Sequence, residues 1–351
     1  MTSATMLPIT PPVKRATTSA KVLVSVLNWN RAEKTLHCLD SMRGQQAATH
    51  AEVTILVIDN GSGAADVAQL EAGMAGGAAI LKRLPVNLGF TGGHNVAIDI
   101  AIKEDYDFIW LLNNDAAVMP GTLEELVTVI QAAPRCGAVS PVLRDIDDGT
   151  TVARCINTHD WARLKDRRIV DVDEGKRFQA EHPEAAWVDG TAVLFRVAAL
   201  RETGPLDDNL FAYYDDNDIG VRLAAKGWFS QCAFNATVLH DVKKTYEEFP
   251  LYMVYLLQRN EMLFWHKNTP APYRRFLTMR LLDRALYDAN RLYRNGWKKQ
   301  ADTGLIAVAD YFGGRFGGPS YDRKVPFLLR AAAGLSALYY RKKLPAQRPQ
   351  R

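Results

Sequence analysis

Several common features are missing from this 351-residue sequence, and each absence narrows what the protein can be. No uninterrupted apolar run is long enough to span a bilayer, and the first residues lack the apolar core of a signal peptide. The four cysteines are scattered and form no CxxC pair, which argues against a disulfide scaffold. We expect a cytoplasmic protein with a disordered tail over residues 1–20.

Two nucleotide-binding motifs are also missing. No GxGxxG follows the first apolar run, and GxxxxGK[ST] occurs nowhere in the chain. Their absence counts against a dinucleotide-binding dehydrogenase and against a P-loop enzyme. The hydrophobic fraction of 48% and the charged fraction of 23% are ordinary for a globular protein.

The net charge of +4 is unevenly distributed along the chain. From Tyr273 to the end there are 17 Lys and Arg against 5 Asp and Glu, an excess of 12 positive charges, so the preceding part carries −8. A basic end on an acidic body suggests that this end meets something anionic. The alternative is a solvated basic helix face.

Short apolar runs alternate with segments of helical periodicity, which predicts an α/β fold with a mainly parallel sheet flanked by helices. The predicted strands are Lys21–Asn30, Val53–Ile58, Ile80–Leu84, Phe108–Leu112, Gly137–Leu143, Trp187–Phe195 and Ala236–His240. The predicted helices between them are Arg31–Met42, Asp66–Met74, Val96–Lys103, Pro120–Ala132, Val197–Thr203 and Asp218–Lys226. Residues 144–183 are expected to be irregular or to form a small hairpin.

The run Phe108–Leu112 ends abruptly in Asn113, Asn114 and Asp115. Ligands of open α/β sheets gather beyond the carboxyl ends of such strands. Asp115 is a hard oxygen ligand that suits Mg²⁺ or Mn²⁺, and Asn113 could bind a sugar hydroxyl. The alternative is ordinary turn chemistry after a strand.

A glycine-rich loop over Asn87–Asn95 precedes the third predicted helix. Glycine has no side chain to obstruct a ligand, so this loop could approach a nucleotide through its backbone. A tight turn before a helix explains the same residues.

Three carboxylates, Asp215, Asp216 and Asp218, lie within four positions at the start of a predicted helix. One acidic cap would be ordinary. Three exceed what capping requires, and their mutual repulsion can raise one pKa towards the range of a general base. His240, at a strand end, is a candidate contact for a metal or a pyrophosphate, although a lone histidine is commonly structural.

Beyond Pro250 the sequence predicts apolar and basic helices over 252–267, 274–297, 301–312 and 325–343. Helices with Lys and Arg on one side and large apolar residues on the other can lie in a membrane interface. The alternative is a helical region packed on the body, with a homodimer left open.

Eight stretches in this order resemble motifs of the family-2 glycosyltransferases, particularly their rhamnosyltransferase-like branch. They are VSVLNWNR, ILVIDNGS, LPVNLGFTGGHN, WLLNNDAAVMPGTLEEL, VDGTAVLFR, FAYYDDNDIGVRL, VLH and YLLQRN. The resemblance covers roughly residues 21–268. It implies a GT-A fold, a nucleotide-diphosphate-sugar donor, a divalent metal and inversion at the anomeric carbon.

The resemblance also implies roles for individual residues. Asp216 matches the catalytic base, with Asp215 beside it. Asp115 matches the retained ligand of the DXD metal motif, with His240 as a further metal contact. The expected donor-binding residues are Asn28, Asn30, Asp59, Asn87, Gly89, Gly93, Asn95, Asn113 and Asn114. The expected acceptor-binding residues are Gly190, Thr191, Tyr214 and Arg259.

These expectations divide the chain into a catalytic domain over 21–268 and a basic helical region over 269–351. The nucleotide-binding half would be 21–115 and the acceptor half 116–268. The expected reaction moves a sugar, with dTDP-rhamnose as the preferred donor over other dTDP, UDP or GDP sugars, to a glycan or lipid-linked acceptor at the inner face of the cell membrane. No nucleic-acid partner is expected. A nucleotidyltransferase of related fold and a non-catalytic carbohydrate-binding protein remain the alternatives.

Overall fold

The computed structural model describes residues 19–45, 49–77, 79–241 and 249–340. The predicted disordered tail therefore lies almost wholly outside the described residues. So does the basic end of the last predicted helix, beyond residue 340.

The apolar runs of the sequence form strands, which we number in chain order. They are β1 (Lys21–Asn28), β2 (Glu52–Asn60), β3 (Ile80–Leu84), β4 (Phe108–Asn113), β5 (Ala116–Val118), β6 (Cys136–Asp145), β7 (Val152–Arg154), β8 (Ile156–Asp160), β9 (Lys165–Ile169), β10 (Ala192–Arg196) and β11 (Phe229–His240).

Helices separate most of these strands and make up the C-terminal part. They are α1 (Ala32–Ser41), α2 (Ala64–Met74), α3 (Gly89–Lys103), α4 (Thr122–Ala132), α5 (Val172–Glu181), α6 (Val197–Thr203), α7 (Asp215–Ala225), α8 (Leu251–Asn268), α9 (Leu277–Arg294), α10 (Lys298–Phe312) and α11 (Phe327–Tyr340). The segment predicted as irregular thus holds β7, the hairpin of β8 and β9, and α5.

The central sheet has the order β3-β2-β1-β4-β10-β6-β11-β5, with β7 paired to β6. Strands β3, β2, β1 and β4 are parallel, as predicted. Beyond β4 the sheet is mixed, because β10 runs antiparallel to both of its neighbours while β6 and β11 are parallel. The mainly parallel sheet of the prediction therefore describes the first half only.

The side chains of β1 and β4 are buried on both faces of the sheet. Val24 and Trp110 belong to one apolar cluster, whereas Leu23 and Ile109 belong to another on the opposite face. Successive strand residues point to opposite faces, so a continuous apolar run is what a sheet covered on both sides requires.

The C-terminal helices pack on the body and on one another. Leu277 and Leu281 of α9 are buried with Phe264 of α8 and Val308 of α10. A second cluster joins α8, α9, α10 and α11 to the segment before α7. The predicted boundary after residue 268 therefore runs through packed helices. None of the helices in the described part of the chain combines the length and hydrophobicity needed to cross a membrane.

Candidate active site

The register of the sheet brings together two residues that are far apart in sequence. Strand β5 pairs antiparallel with β11 so that Ala116 lies opposite His240. Consequently Nε2 of His240 lies 3.2 Å from Oδ1 of Asp115, and both side chains are partly exposed. Burial alone would raise the pKa of Asp115, but the hydrogen bond and charge of His240 outweigh it and lower that pKa. The hydrogen bond and charge of Asp115 in turn raise the pKa of His240, although burial alone would lower it.

Two carboxylates open helix α7, which begins at Asp215 and not at the predicted Asp218. Oδ2 of Asp216 accepts a hydrogen bond from the backbone N–H of Gly190 at 3.2 Å, and its Oδ1 accepts one from the N–H of Asn217 at 2.8 Å. Burial and the neighbouring charge of Asp215 raise the pKa of Asp216 well above its ordinary value. Burial likewise raises the pKa of Asp215 to about 7.

The third carboxylate of the sequence cluster has a different role. Asp218 is buried, and its oxygens lie 2.8 Å from Nε of Arg222 and 2.8 Å from Nζ of Lys267. Two cationic partners hold Asp218 as a charge-paired structural group. It is therefore excluded as a candidate base.

Sequence reasoning missed a further acid, Asp189. Its charge raises the pKa of Asp215, of Asp216 and of His240, so it lies within electrostatic reach of both the carboxylate pair and the Asp115–His240 pair. Oδ2 of Asp189 lies 3.5 Å from Nε of Arg154. An acid directly before Gly190 was a signal available in the sequence. We refer to Asp189, Asp215 and Asp216 as the acid cluster.

The two predicted acceptor residues next to Asp189 orient the acid cluster. The hydroxyl of Thr191 donates to Oδ1 of Asp189 at 2.5 Å, and the carbonyl of Thr191 accepts from the N–H of Asn113 at 2.8 Å. Gly190 binds Asp216 through its backbone. Direct contact of Gly190 and Thr191 with an acceptor stays a prediction.

The segment before α7 has an unusual backbone. Phe211, Tyr213 and Tyr214 have φ of 64°, 67° and 66°, in the left-handed region that costs energy for bulky residues. The side-chain amide of Asn260 on α8 donates to the carbonyls of Leu210, Ala212 and Tyr213 at 2.7–3.0 Å. We call residues 211–214 the strained loop.

Arg259 was predicted to bind an acceptor, and this stays a prediction, since the contacts of its side chain lie within the protein. It is fully buried, and its guanidinium donates to the carbonyls of Asn209, Leu210 and Gly317 at 2.7–3.2 Å. It supports the strained loop from behind. Tyr214 packs its ring on Phe264 with centroids 5.6 Å apart, so any acceptor contact by Tyr214 also stays a prediction.

The carboxyl ends of β1 and β2 carry a paired set of polar side chains. Nδ2 of Asn28 donates to Asp59 Oδ1 at 3.0 Å and to Asp66 Oδ2 at 2.8 Å, while its Oδ1 accepts from Thr35 at 2.7 Å. Asn28 is buried and engaged in these bonds, and a donor contact by Asn28 stays a prediction. It positions Asp59, and a nucleobase contact by Asp59 remains a prediction.

Sequence reasoning also overlooked a contact between two asparagine side chains, Asn60 and Asn87. Oδ1 of Asn60 accepts from the N–H of Leu88, and its Nδ2 donates to Oδ1 of Asn87 at 3.0 Å. Oδ1 of Asn87 in turn accepts from the N–H of Gly89 at 2.8 Å. We call the group Asn28, Asp59, Asn60 and Asn87 the amide network.

The predicted glycine-rich loop is largely the start of helix α3. Gly89 has φ of 77°, and a Cβ there would lie 2.4 Å from the carbonyl oxygen of Phe211. A Cβ on Gly93 would lie 2.4 Å from Leu27. These glycines are required by close packing against the strained loop and β1. A direct donor contact by either of them stays a prediction.

The remaining predicted donor residues divide into two groups. The amide of Asn95 binds Leu206 through both atoms and Asp208 at 2.7 Å, which ties α3 to the segment after α6, and a donor contact by Asn95 stays a prediction. Asn30 and Asn114 bond to Gly63 and Thr35, respectively, and are partly exposed or exposed. Asn113 is half-buried at the end of β4 and has no side-chain hydrogen-bond partner among the described residues. These three stay predicted donor contacts.

The donor set of Asp115 and His240 fits a divalent cation that takes its other ligands from a substrate. The described residues contain no group of three or more His, Cys, Asp or Glu that could enclose a metal. Mg²⁺ commonly binds to one or two carboxylates together with substrate phosphates and water. A two-residue site is therefore sufficient if a diphosphate completes it.

The α/β fold thus carries Asp115 between β4 and β5 and the Asp215–Asp216 pair at the start of α7. A family model described as glycosyl transferase family 2 matches residues 24–204. This match covers more than half of the chain, and the chain belongs to that family.

Two curated relatives are similar to part of the chain. Both are described as N-acetylglucosaminyl-diphospho-decaprenol L-rhamnosyltransferase, from strains CDC 1551 / Oshkosh and ATCC 25618 / H37Rv of Mycobacterium tuberculosis. Each is 26% identical over 144 residues, which cover 38% of this chain and 47% of the relative. The chain thus spans about half the length of these relatives, and the likeness supports the rhamnosyltransferase-like branch.

Two solved structures share the fold. The mannosyltransferase PcManGT from Pyrobaculum calidifontis, in complex with GDP-Man and Mn²⁺, has a TM-score of 0.52 at 17% identity and covers 93% of this chain and 84% of that one. GalNAc-T7 with UDP, GalNAc and Mn²⁺ has a TM-score of 0.51 at 14% identity and covers 70% of this chain and 48% of that one. The predicted GT-A fold is confirmed.

Proposed function

We propose that the chain is an inverting glycosyltransferase that moves a sugar from a nucleotide diphosphate to a hydroxyl of a glycan acceptor, with Asp216 as the base. The observation that carries this proposal is the position of Asp216. Its carboxylate accepts hydrogen bonds from the N–H groups of Gly190 and Asn217. The charge of Asp189 raises the pKa of Asp216 and also that of His240 in the Asp115–His240 pair.

The proposed displacement is a single step. The acceptor O–H bond breaks and its proton moves to Asp216, while the acceptor oxygen forms a bond to the anomeric carbon. The bond from that carbon to the phosphate oxygen breaks, and the electron pair leaves with the nucleoside diphosphate. Because acceptor oxygen and leaving group lie on opposite faces of the sugar, the anomeric configuration inverts.

The raised pKa of Asp216 suits this role. A carboxylate of ordinary pKa is a weak base, whereas burial and the repulsion of Asp215 give Asp216 a greater affinity for the proton. Both carboxylates lie at the N-terminus of α7, whose dipole favours the ionised form that must be present before reaction.

Asp115 and His240 would hold a Mg²⁺ or Mn²⁺ ion, which would neutralise the charge that develops on the diphosphate. Asp59 and Asn113 at the ends of β2 and β4 would contact the nucleoside. The low pKa of Asp115 keeps it ionised for a cation at neutral pH. His240 must lose its proton on binding a cation, so binding would release protons.

For the donor we propose dTDP-rhamnose, and for the acceptor a glycan on a lipid diphosphate. The support is the activity of the two relatives, which are described as N-acetylglucosaminyl-diphospho-decaprenol L-rhamnosyltransferase. Such an acceptor lies at a membrane, so we further propose a cytoplasmic enzyme that works at the inner membrane face.

The decisive experiment is incubation of the full chain with a panel of dTDP, UDP and GDP sugars and Mn²⁺ or Mg²⁺, with and without a lipid-diphosphate glycan. We expect nucleoside diphosphate release that a chelator suppresses, and a product of inverted configuration by NMR. Asp216→Asn serves as the negative control and Asp99→Asn, an exposed change, as the positive one.

Other outcomes point elsewhere. Formation of a nucleotide-sugar from a nucleoside triphosphate and a sugar phosphate would instead make the chain a nucleotidyltransferase. Saturable sugar binding without turnover of any donor would make it a non-catalytic binding protein. Full turnover in chelator would remove the proposed role of the cation.

A further inference from the structure

Helix α11 exposes large apolar side chains on one face. Phe327, Leu328, Leu335 and Leu338 are 81%, 81%, 75% and 72% exposed. At 3.6 residues per turn these four positions fall within an arc of about 100°. A run of this kind is uncommon on a soluble surface and marks a region that meets another apolar phase.

The opposite face of α11 is packed. Ala333 and Tyr340 are buried, and the hydroxyl of Tyr340 donates to the carbonyl of Asp283 on α9 at 3.0 Å. Asn290 of α9 donates to the carbonyl of Ala333 at 3.2 Å. The helix is therefore fixed on the body by its inner face, and its outer apolar face is held outward.

A cationic groove adjoins this helix. It has a volume of about 580 Å³, and it is lined by Arg294, Lys298 and Arg330 as well as by Gly334 and Leu338 of α11. Asp302 lies 3.7 Å from Arg330 and offsets part of this charge. Arg294, Lys298 and Arg330 give the groove guanidinium and ammonium groups, which bind phosphate oxygens.

The other basic helices do not share this arrangement. The apolar residues Leu277, Leu281 and Ala285 of α9 and Leu305 of α10 are buried against neighbouring helices. Within the described part of the basic C-terminal region, α9 and α10 expose Met279 and Phe312, whereas α11 exposes the four large apolar side chains named above on one face.

We propose that the outer face of α11 and the cationic groove dock on the surface of an anionic bilayer, with the leucines in the acyl boundary and the groove on lipid phosphates. Amphipathic helices with basic residues and large apolar side chains bind membranes in this way. The excess of 12 positive charges from Tyr273 onward favours an anionic surface as the occupant. A second copy of the chain would bring the same positive charges to the contact and be repelled.

The proposed docking would place the acceptor side of the site near the lipid. Leu329 of α11 contacts the cluster that holds Phe211 and Tyr213 and also the one that holds Tyr214. The inner face of α11 and the strained loop that precedes the acid cluster therefore border the same two apolar clusters. This consequence rests on the proposed function, since it assumes a lipid-linked acceptor, whereas the docking itself does not.

The test is co-sedimentation of the full chain with phosphatidylglycerol and with phosphatidylcholine vesicles at low and high salt. Two variants probe the two parts of the surface: Leu335→Glu with Leu338→Glu, and Lys298→Gln with Arg330→Gln. The matched control is Ile80→Glu with Val170→Glu, which changes two exposed apolar residues elsewhere. A truncation before Gly317 would be uninformative, because Gly317 and the helices before it support the strained loop.

We expect binding to phosphatidylglycerol vesicles that salt weakens, reduced at least about tenfold by each α11 or groove variant and unchanged in the control. Thermal unfolding of every variant should match the unmodified chain, because the altered side chains are exposed or line an open groove. Equal binding of the glutamate variant and the unmodified chain would overturn the proposal. So would a dimer that dissociates in that variant, seen by sedimentation velocity.

The same samples keep this proposal separate from the proposed function. Donor hydrolysis in the absence of vesicles does not require docking. Loss of docking with intact hydrolysis would remove only the membrane surface, and docking without any donor turnover would remove only the enzymatic assignment.

Discussion

The amide network and the acid cluster are two polar groups at the same edge of the sheet, and they are stabilised in opposite ways. Asn28 and Asp59 satisfy each other with neighbours from β1, β2 and the segments that follow them. The acid cluster brings like charges together, and its strained loop depends on Asn260, almost fifty residues further along the chain. The first group is a self-contained frame, whereas the second is held in an unfavourable state by distant contacts.

This difference indicates which of the two groups can take part in a reaction. Groups that satisfy one another have little capacity left for a ligand, so Asn28 and Asn60 mainly fix local geometry, while Asp59 keeps its proposed contact with the nucleoside. Carboxylates with raised pKa retain unused affinity for protons, which is the property that a general base needs. Changes in the acid cluster should therefore reduce turnover, while changes in the frame should reduce stability.

The largest effect is expected from Asp216→Asn, which removes the proposed base. We predict a loss of kcat of roughly 10²–10⁴-fold with nearly unchanged donor affinity, because the base acts on the acceptor. Steady-state kinetics and calorimetric titration of the nucleotide would measure the two quantities. If Asp216→Asn turned over normally and Asp215→Asn did not, the role would pass to Asp215.

The second prediction concerns the support of the strained loop. Asn260→Ala removes a donor from the carbonyls of Leu210, Ala212 and Tyr213, of which only Leu210 keeps Arg259 as a donor, so the free energy of unfolding should fall by about 1–3 kcal/mol and kcat should fall with it. Chemical denaturation and kinetics would test this, with the exposed Asn235→Ala as control. A fully stable and active Asn260→Ala enzyme would show that the strained loop keeps its conformation without the hydrogen bonds of Asn260.

A smaller effect is expected on the pH profile. The proposed base must be deprotonated, so kcat/KM should rise with pH through the raised pKa of the coupled carboxylates and be lost as pH falls. Asp189→Asn removes a repelling charge and should move this rise to lower pH. Arg154→Gln should move it in the opposite direction, since the Arg154 charge is attracted by Asp189 and Asp216. Profiles that coincide for all three proteins would place Asp189 outside the field of the base.

The smallest effect is expected at Asn95, which ties α3 to the segment after α6. Asn95→Ala removes the tie to Leu206 and Asp208 and should lower the free energy of unfolding by about 0.5–1.5 kcal/mol. Nucleotide affinity should not change. A clear loss of nucleotide affinity with unchanged stability would support the predicted contact of Asn95 with the donor.

The sequence predicted the parallel half of the sheet and the positions of Asp115 and Asp216, because apolar runs and helix starts are local patterns. It could not predict the mixed half, since the reversal of β10 depends on pairing with β4 and β6. The type of a residue also does not tell in which direction its side chain points. Asn28, Asn95 and Arg259 were polar residues in the right stretches, but their side chains turn inward to hydrogen-bond the protein itself.

The support of the strained loop also has a consequence for the order of folding. Phe211–Tyr214 lies close in sequence to α7 but is held by α8 and, through Arg259, by the carbonyl of Gly317. Contacts with such sequence separation form late, because a long loop must close first. We expect the nucleotide half to acquire its structure early during synthesis, while the acid cluster reaches its working geometry only after residue 317 has left the ribosome.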